Sequence, residues 1–294
     1  MTVSEANSIV RSFCRKGKPT ESDVFLFTEA LSFLIEETKD PSYMMELGGY
    51  YYEIRNFDLA LKYYDLAASY DYEPAFGCLG YIWYYGRTGQ VDYKKAFENF
   101  KRSMEQGNLE SAYKVADMYK NGYYVEKDYE KYKQMIEDLY HKVKRAEYVH
   151  EPLPEVFTRL ARIRKEEGKP EEAANLYLKA KSFLACRIKY NAFFGNLSIM
   201  KWLIDDLYTI IEWNPYAVDL YDLFWLMKEP GHLVTFRYGG KLQTVETVEE
   251  DGAVVIRFND SWFRTREDFF QKACINGEPA TKLADEFYRF EVQT

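Results

Sequence analysis

The chain has 294 residues, with 47 acidic against 39 basic side chains and a formal net charge of −8. That balance argues against general nucleic-acid binding, which needs a basic footprint. No apolar run approaches the roughly 18 residues of a membrane span, and the four cysteines (Cys14, Cys78, Cys186 and Cys274) are too scattered for a disulfide frame or a metal set.

Residues 4–37 predict a degenerate first hairpin. Ser4 caps a helix carrying Ala6, Ile9, Val10 and Phe13; a turn follows at Gly17-Lys18-Pro19-Thr20; Ser22 caps a second helix through Leu34. In residues 41–73, Leu47-Gly48 falls mid-helix, where glycine costs about 1 kcal/mol relative to alanine. A helix tolerates this when another must approach closely, and Ala60 and Ala67 on the next helix suit that approach. Asn56-Phe57-Asp58 is the expected turn, and Pro74 opens the next hairpin.

Residues 75–107 and 112–143 have longer inter-helix loops. Gly86 and Gly122 are expected to end their helices in a left-handed conformation. Asp92 and Asp128 are expected to cap the helices that follow, and Gly107-Asn108 closes the earlier hairpin. His141 to Pro154 reads as a polar connector. Residues 154–184 predict another hairpin, turning at Gly168-Lys169-Pro170. Its basic cluster, Arg159, Arg162, Arg164 and Lys165, reads as a solvated helix face rather than a phosphate site.

Leu197 to Trp213 predicts an apolar helix broken at Asn214-Pro215, with a further helix to about Met227. Beyond Pro230-Gly231 the period switches to alternation. His232–Tyr238, Leu242–Val248 and Ala253–Phe258 read as strands, joined at Gly239-Gly240 and at Glu250-Asp251-Gly252. Thr265 caps a helix through Ala273, and Tyr288, Phe290 and Val292 alternate as a last strand. A unit this small is marginal alone and is expected to dock on the preceding helices.

The helical part repeats itself. Leu47, Gly48, Tyr51, Ala60, Tyr64 and Ala67 share their offsets with Leu160, Ala161, Arg164, Ala173, Tyr177 and Ala180. Leu79, Gly80, Gly86, Asp92, Ala96 and Phe100 are echoed 36 residues later (79 to 115, 86 to 122) by Val115, Ala116, Gly122, Asp128, Tyr132 and Ile136. A period of this length means stacked helical hairpins. Tyrosine suits them, packing its ring while keeping its hydroxyl wet, and 27 tyrosines are present.

The copies at 47–67 and 160–180 resemble tetratricopeptide repeats. The longer copies, AFGCLGYIWYYGRTGQVDYKKAFENFKRSMEQG and SAYKVADMYKNGYYVEKDYEKYKQMIEDLY, resemble Sel-one-like repeats. In the second, Ala116 stands for the glycine and Tyr132 for the alanine of the second helix. The resemblance covers about residues 41–184, with an extension to residue 4. It implies an α-solenoid of stacked helical hairpins over 1–184 and does not extend to the C-terminal unit. With the residue patterns beyond it, the chain reads as mainly α, with capping or bridging helices over 185–230 and a small C-terminal α+β domain with antiparallel strands over 231–294.

The resemblance also implies an adaptor or scaffold that binds a protein or peptide segment in its concave face, without a cofactor. Carried over residue by residue, the groove-facing positions are Met45, Tyr52 and Glu53; Tyr81, Tyr84 and Tyr85; Tyr113, Asp117 and Lys120; and Arg162 and Lys165. Some Sel-one-like relatives are secreted and carry paired cysteines in each repeat. Their absence here, and the lack of a long apolar core near the N-terminus, lead to the expectation of a cytoplasmic, bacterial protein with neither nucleic acid nor membrane insertion.

Catalytic signals are sparse. His141, His150 and His232 have no metal-ligand spacing, and no G-x-S-x-G elbow or glycine-rich phosphate loop occurs. Asp205 and Asp206 are adjacent on a helix and point in different directions, while Asp260-Ser261 reads as turn chemistry. An enzyme is therefore not expected. The alternatives are a sensor binding a small molecule or carbohydrate at the junction between solenoid and C-terminal domain, and, less favoured, a hydrolase using carboxylates.

Overall fold

A computed structural model describes residues 1–16, 19–143, 153–212, 214 and 218–293. Gly17-Lys18 of the expected first turn, the connector around His150, the expected helix end at Trp213 and Pro215 of the expected break at Asn214-Pro215 lie outside the described residues. The chain divides into two compact units, Met1–Met135 and Ile136–Thr294.

The first unit is helical. It holds α1 (Val3–Cys14), α2 (Glu21–Thr38), α3 (Pro41–Glu53), α4 (Phe57–Ala68), α5 (Glu73–Tyr84), α6 (Tyr93–Glu105), α7 (Leu109–Asn121) and the start of α8 (Tyr129–Val143), inside which the division falls. From α1 to α7 each helix packs on the next, and α5 also packs on α7. Short loops between packed neighbours make these antiparallel hairpins, stacked in sequence order.

The caps explain where the helices begin. Asp92 accepts from the Lys95 amide at 3.0 Å and Asp128 from that of Lys131 at 2.8 Å, as expected. Gly86 (φ +59°) and Gly122 (φ +71°) take the left-handed conformation. The first two helices start earlier than the serines suggested. Thr2 caps α1 and Thr20 caps α2, because Glu5 and Asp23 at the third helical position reach back to the cap amides. The turn between α3 and α4 likewise falls earlier, since the Asn56 side chain caps α4 at the Leu59 amide and Phe57 is already helical.

The mid-helix glycines make room for rings rather than for alanines. A Cβ on Gly48 would lie 2.7 Å from Tyr64, and one on Gly80 would lie 2.5 Å from Phe100. Ala60 and Ala67 are fully buried in the same stack, but Tyr64 is the group that faces Gly48. At the N-terminal hairpin, Phe13 stacks on Phe27 at 4.0 Å over buried Ala6, Ala30 and Leu31.

The second unit continues from α8 with α9 (Leu153–Glu166), α10 (Pro170–Tyr190), α11 (Phe194–Leu207), a 3-10 turn (Leu220–Asp222) and α12 (Leu223–Leu226). The α10 helix runs unbroken through residue 184, where the sequence placed a domain boundary. The α11 helix stops at Leu207, and the helix expected to reach Met227 is a single 3-10 turn plus α12. Buried ion pairs tie these elements. Arg187 meets Glu155 at 2.6 Å, and Lys181 meets Asp222 at 2.6 Å and Asp219 at 2.9 Å.

Strands β1 (Leu233–Tyr238), β2 (Lys241–Glu250), β3 (Ala253–Phe258), β4 (Ser261–Phe263) and β7 (Tyr288–Gln293) form an antiparallel sheet ordered β4-β3-β2-β1-β7. A short hairpin, β5 (Cys274–Ile275) with β6 (Glu278–Pro279), stands apart. Strand β4 forms where the sequence suggested only a turn at Asp260-Ser261; the reversal is at Asn259-Asp260 and Ser261 already pairs with Phe258. Thr265 caps α13 (Arg266–Lys272) as expected.

The C-terminal sheet and α13 dock on the helices of their own unit. Phe270 stacks on Phe224 at 3.9 Å, and Phe269 closes the sheet core against Phe258 and Phe263. Arg266 donates to the Phe224 carbonyl at 2.6 Å and to Asp205, and Lys201 pairs with Glu267.

Candidate binding face on the helical repeats

Within the first unit, α3, α5 and α7 are the first helices of consecutive hairpins. At the end of α5, which Tyr85 caps, the three- and four-residue spacing of Tyr84 and Tyr85 from Tyr81 puts the rings on one face. Tyr81 and Tyr85 stack at 6.1 Å. Tyr84 turns its edge to Phe100, Tyr93 and Tyr123, between 5.7 and 6.1 Å. Burial pushes its hydroxyl pKa up, and the nearby Asp117 carboxylate adds to the effect. Tyr84 is thus half packing residue and half surface, while Tyr85 is 48% exposed.

From α7, Tyr113 is buried with its hydroxyl 3.5 Å from that of Tyr81. The next residue, Lys114, is only 8% exposed. Its ammonium lies 5.1 to 5.7 Å from the ring centroids of Tyr81, Tyr84, Tyr85 and Tyr113, and donates to the Tyr85 hydroxyl at 3.3 Å. Ring faces attract a cation most where water is excluded. Sequence reading missed Lys114, because a helical lysine ordinarily reaches solvent; its position beside Tyr113, one repeat after the α5 tyrosines, was the available signal.

At the α3 side, Tyr52 meets Phe57 edge to face at 5.2 Å. The Arg87 guanidinium lies over Tyr52, Phe57 and Tyr85, at 5.9, 5.7 and 5.1 Å. Tyr52, Arg87, Tyr85, Lys114, Tyr81 and Tyr113 therefore form one run of contacts across three hairpins. Glu53 is exposed at its margin. Met45 instead packs into the cores of the α3 hairpin, and Lys120 lies 5.0 Å from the Tyr132 ring.

Arg162 and Lys165 belong to the second unit. Arg162 lies 3.7 Å over Trp202 and pairs with Asp206 at 2.7 Å, and Lys165 donates to the Thr209 hydroxyl at 2.7 Å. Arg164 pairs with Glu137, Glu167 and Glu172. Of the basic cluster of α9, Arg162 and Arg164 are therefore engaged in internal ion pairs and Arg159 in a hydrogen bond to the Glu155 carbonyl, while Lys165 is exposed as the solvated face was expected to be. Asp205 and Asp206 diverge as expected, Asp205 towards Lys228 and Arg266, Asp206 towards Arg162 and Tyr177. Among the described residues no three metal-ligating side chains converge, and no helix is long and apolar enough to cross a membrane.

No protein-family model and no curated protein matches the chain. Solved structures to which it is similar include three repeat proteins. A Sel1 repeat protein from Oxalobacter formigenes shares 17% identity, with a TM-score of 0.47 over 69% of this chain and 74% of that one. The protective antigen c5321 of uropathogenic Escherichia coli, which displays an SLR fold, shares 15% identity with a TM-score of 0.49. That match covers 71% of this chain but only 49% of c5321. YrrB, a TPR protein with an unusual peptide-binding site, shares 17% identity with a TM-score of 0.38, over 60% of this chain and 92% of its own. The stack of hairpins itself rests on the packing of α1 to α7.

Proposed function

We propose that the chain is a binding scaffold whose first unit holds a protein or peptide segment against the face presented by α3, α5 and α7. The observation that carries this reading is the run from Tyr52 through Arg87, Tyr85 and Lys114 to Tyr113, with Tyr85 open at its surface. Aromatic rings with interleaved cations are the usual chemistry of protein-recognition surfaces. Tyr81 and Tyr84 extend the apolar area, and Glu53, Asp117 and Lys120 supply mixed charge around it.

The test is selection of a random peptide library on the full chain, followed by affinity measurement of the selected peptides. Central aromatic anchors contribute about 2 kcal/mol or more, roughly thirtyfold in affinity. Tyr85→Ala should weaken capture by about that factor while the chain stays folded, with a lowered melting temperature because Lys114 loses its hydrogen bond to the Tyr85 hydroxyl. The double variant Tyr84→Ala/Tyr85→Ala should lose more binding and also some stability, because Tyr84 packs on Phe100. Selected peptides that bind both variants as they bind the unaltered chain would place the binding surface elsewhere.

A further inference from the structure

Lys114 is an unusual cation for an acidic chain. It is nine-tenths buried, four tyrosine rings surround it, and among the described residues no carboxylate stands at ion-pair distance. Among the described residues its ammonium donates a hydrogen bond to the Tyr85 hydroxyl. A desolvated ammonium with such partners is costly to hold, and a carboxylate arriving at it recovers that cost. Because Lys114 donates to the Tyr85 oxygen, the Tyr85 hydroxyl proton is left to be donated outward. Two donors therefore stand side by side at the surface of the rings, with Arg87 over the Tyr85 ring adding positive potential.

We propose that Lys114, with the Tyr85 hydroxyl, reads an acidic side chain of a peptide lying across the tyrosines of α5 and α7. The inference rests on the peptide-binding reading above and names the chemistry of its partner. A side chain is favoured over a chain terminus by position. Lys114 lies mid-way along α7, and the run of contacts continues from it through Tyr85 and Arg87 to Tyr52. A peptide that ended at Lys114 would leave much of that run uncovered, whereas one that passes over it contacts both sides and lowers a carboxylate between the rings.

The experiment uses the same library selection on the full chain, then synthetic peptides amidated at the C-terminus. Wild-type selection should enrich Asp or Glu at one position. Exchanging that residue for Gln or Asn should weaken binding to the wild-type chain about ten- to a hundredfold, the range for a charge-assisted hydrogen bond. Lys114→Met should lose affinity for the acidic peptide by the same factor and bind the neutral peptide as before, and Lys114→Arg should recover part of the preference. If Lys114→Met does not fold, the peptide exchange carries the test on the wild-type chain and on Lys114→Arg, in which the preference for the acidic peptide should be smaller than in the wild type.

Selected peptides that depend on Tyr85 yet show no acidic position, or whose acid is equally preferred by Lys114→Met, would overturn this inference and leave the peptide-binding reading intact. A preference that appears only with a free C-terminal carboxylate would also overturn it. Failure to select any peptide dependent on Tyr85 would overturn the peptide-binding reading, and this one with it.

Discussion

Gly80→Ala is the sharpest probe of the repeat stack. The new Cβ would lie 2.5 Å from Phe100 Cδ1 and Cε1 and 2.8 Å from Cγ, about 1 Å inside ordinary carbon contact. Phe100 has nowhere to go: it is fully buried, with the ring of Tyr81 at 5.2 Å and that of Tyr84 at 6.1 Å. Overpacking of this kind costs about 1–3 kcal/mol. Replacing a helical glycine by alanine returns about 1 kcal/mol of helix propensity. With three ring atoms inside 3 Å the cost belongs in the upper half of its range, so a net loss of about 1–2 kcal/mol is expected. Gly77, one turn earlier in α5, is the control. Its Cβ would meet only Ser103 Oγ at 3.5 Å and Ser111 Oγ at 3.6 Å, which is ordinary contact. Gly77→Ala should therefore be neutral or stabilise by up to about 1 kcal/mol. Urea unfolding followed by circular dichroism compares the two at constant slope. In a Phe100→Leu background the cost of Gly80→Ala should shrink, because the two sites are coupled. Equal stability changes at residues 77 and 80 would refute the close approach of ring and helix.

Cutting the chain after Glu229 removes the sheet and α13 and strips Phe270 from the buried face of Phe224. The shortened chain should remain helical but melt at a lower temperature; an unchanged melting curve would show that the sheet adds nothing to the helices it covers. Burial pushes the Cys78 thiol up to about 11, with Glu110 and Glu73 adding to it against the Tyr64 hydroxyl, whereas Cys186 and Cys274 are exposed. Iodoacetamide near neutral pH should thus label those two well before Cys78, whose thiol is both packed and held in its protonated form, and peptide mapping that finds equal rates would contradict the packing at α5.

Elements set by local chemistry could be read from the sequence. Asp92, Asp128 and Thr265 cap helices where they were expected to, and Gly239-Gly240 turns the β1–β2 hairpin. The caps at Thr2 and Thr20 were within reach too, since each is followed three residues later by an acid. The serines misled because they stand closer to the apolar run. What escaped depends on residues distant in sequence. Arg164 and Arg162 look like a basic surface until Glu137 and Asp206 arrive from other helices. Lys114 looks like an ordinary surface lysine until the α5 tyrosines close round it. Tyr84 and Tyr85 are adjacent, yet Tyr93 and Tyr123 pack around one ring and leave the other open, a difference no spacing rule encodes.

The exchange of bulk between the two longer hairpins limits how such a chain can grow. In repeat register, Gly80, Ala96 and Phe100 correspond to Ala116, Tyr132 and Ile136. All six residues are buried, so where the first helix gains a methyl group the aromatic ring of its partner helix has moved one turn towards the N-terminus. The hairpins are therefore not interchangeable cassettes cut at any loop. A recombination that brought the second helix of one beside the first helix of the other would set Phe100 against the Cβ of Ala116, or leave a void opposite Gly80. Copying a hairpin whole keeps the complementary pair together, and so duplication by complete hairpins is the route this packing permits.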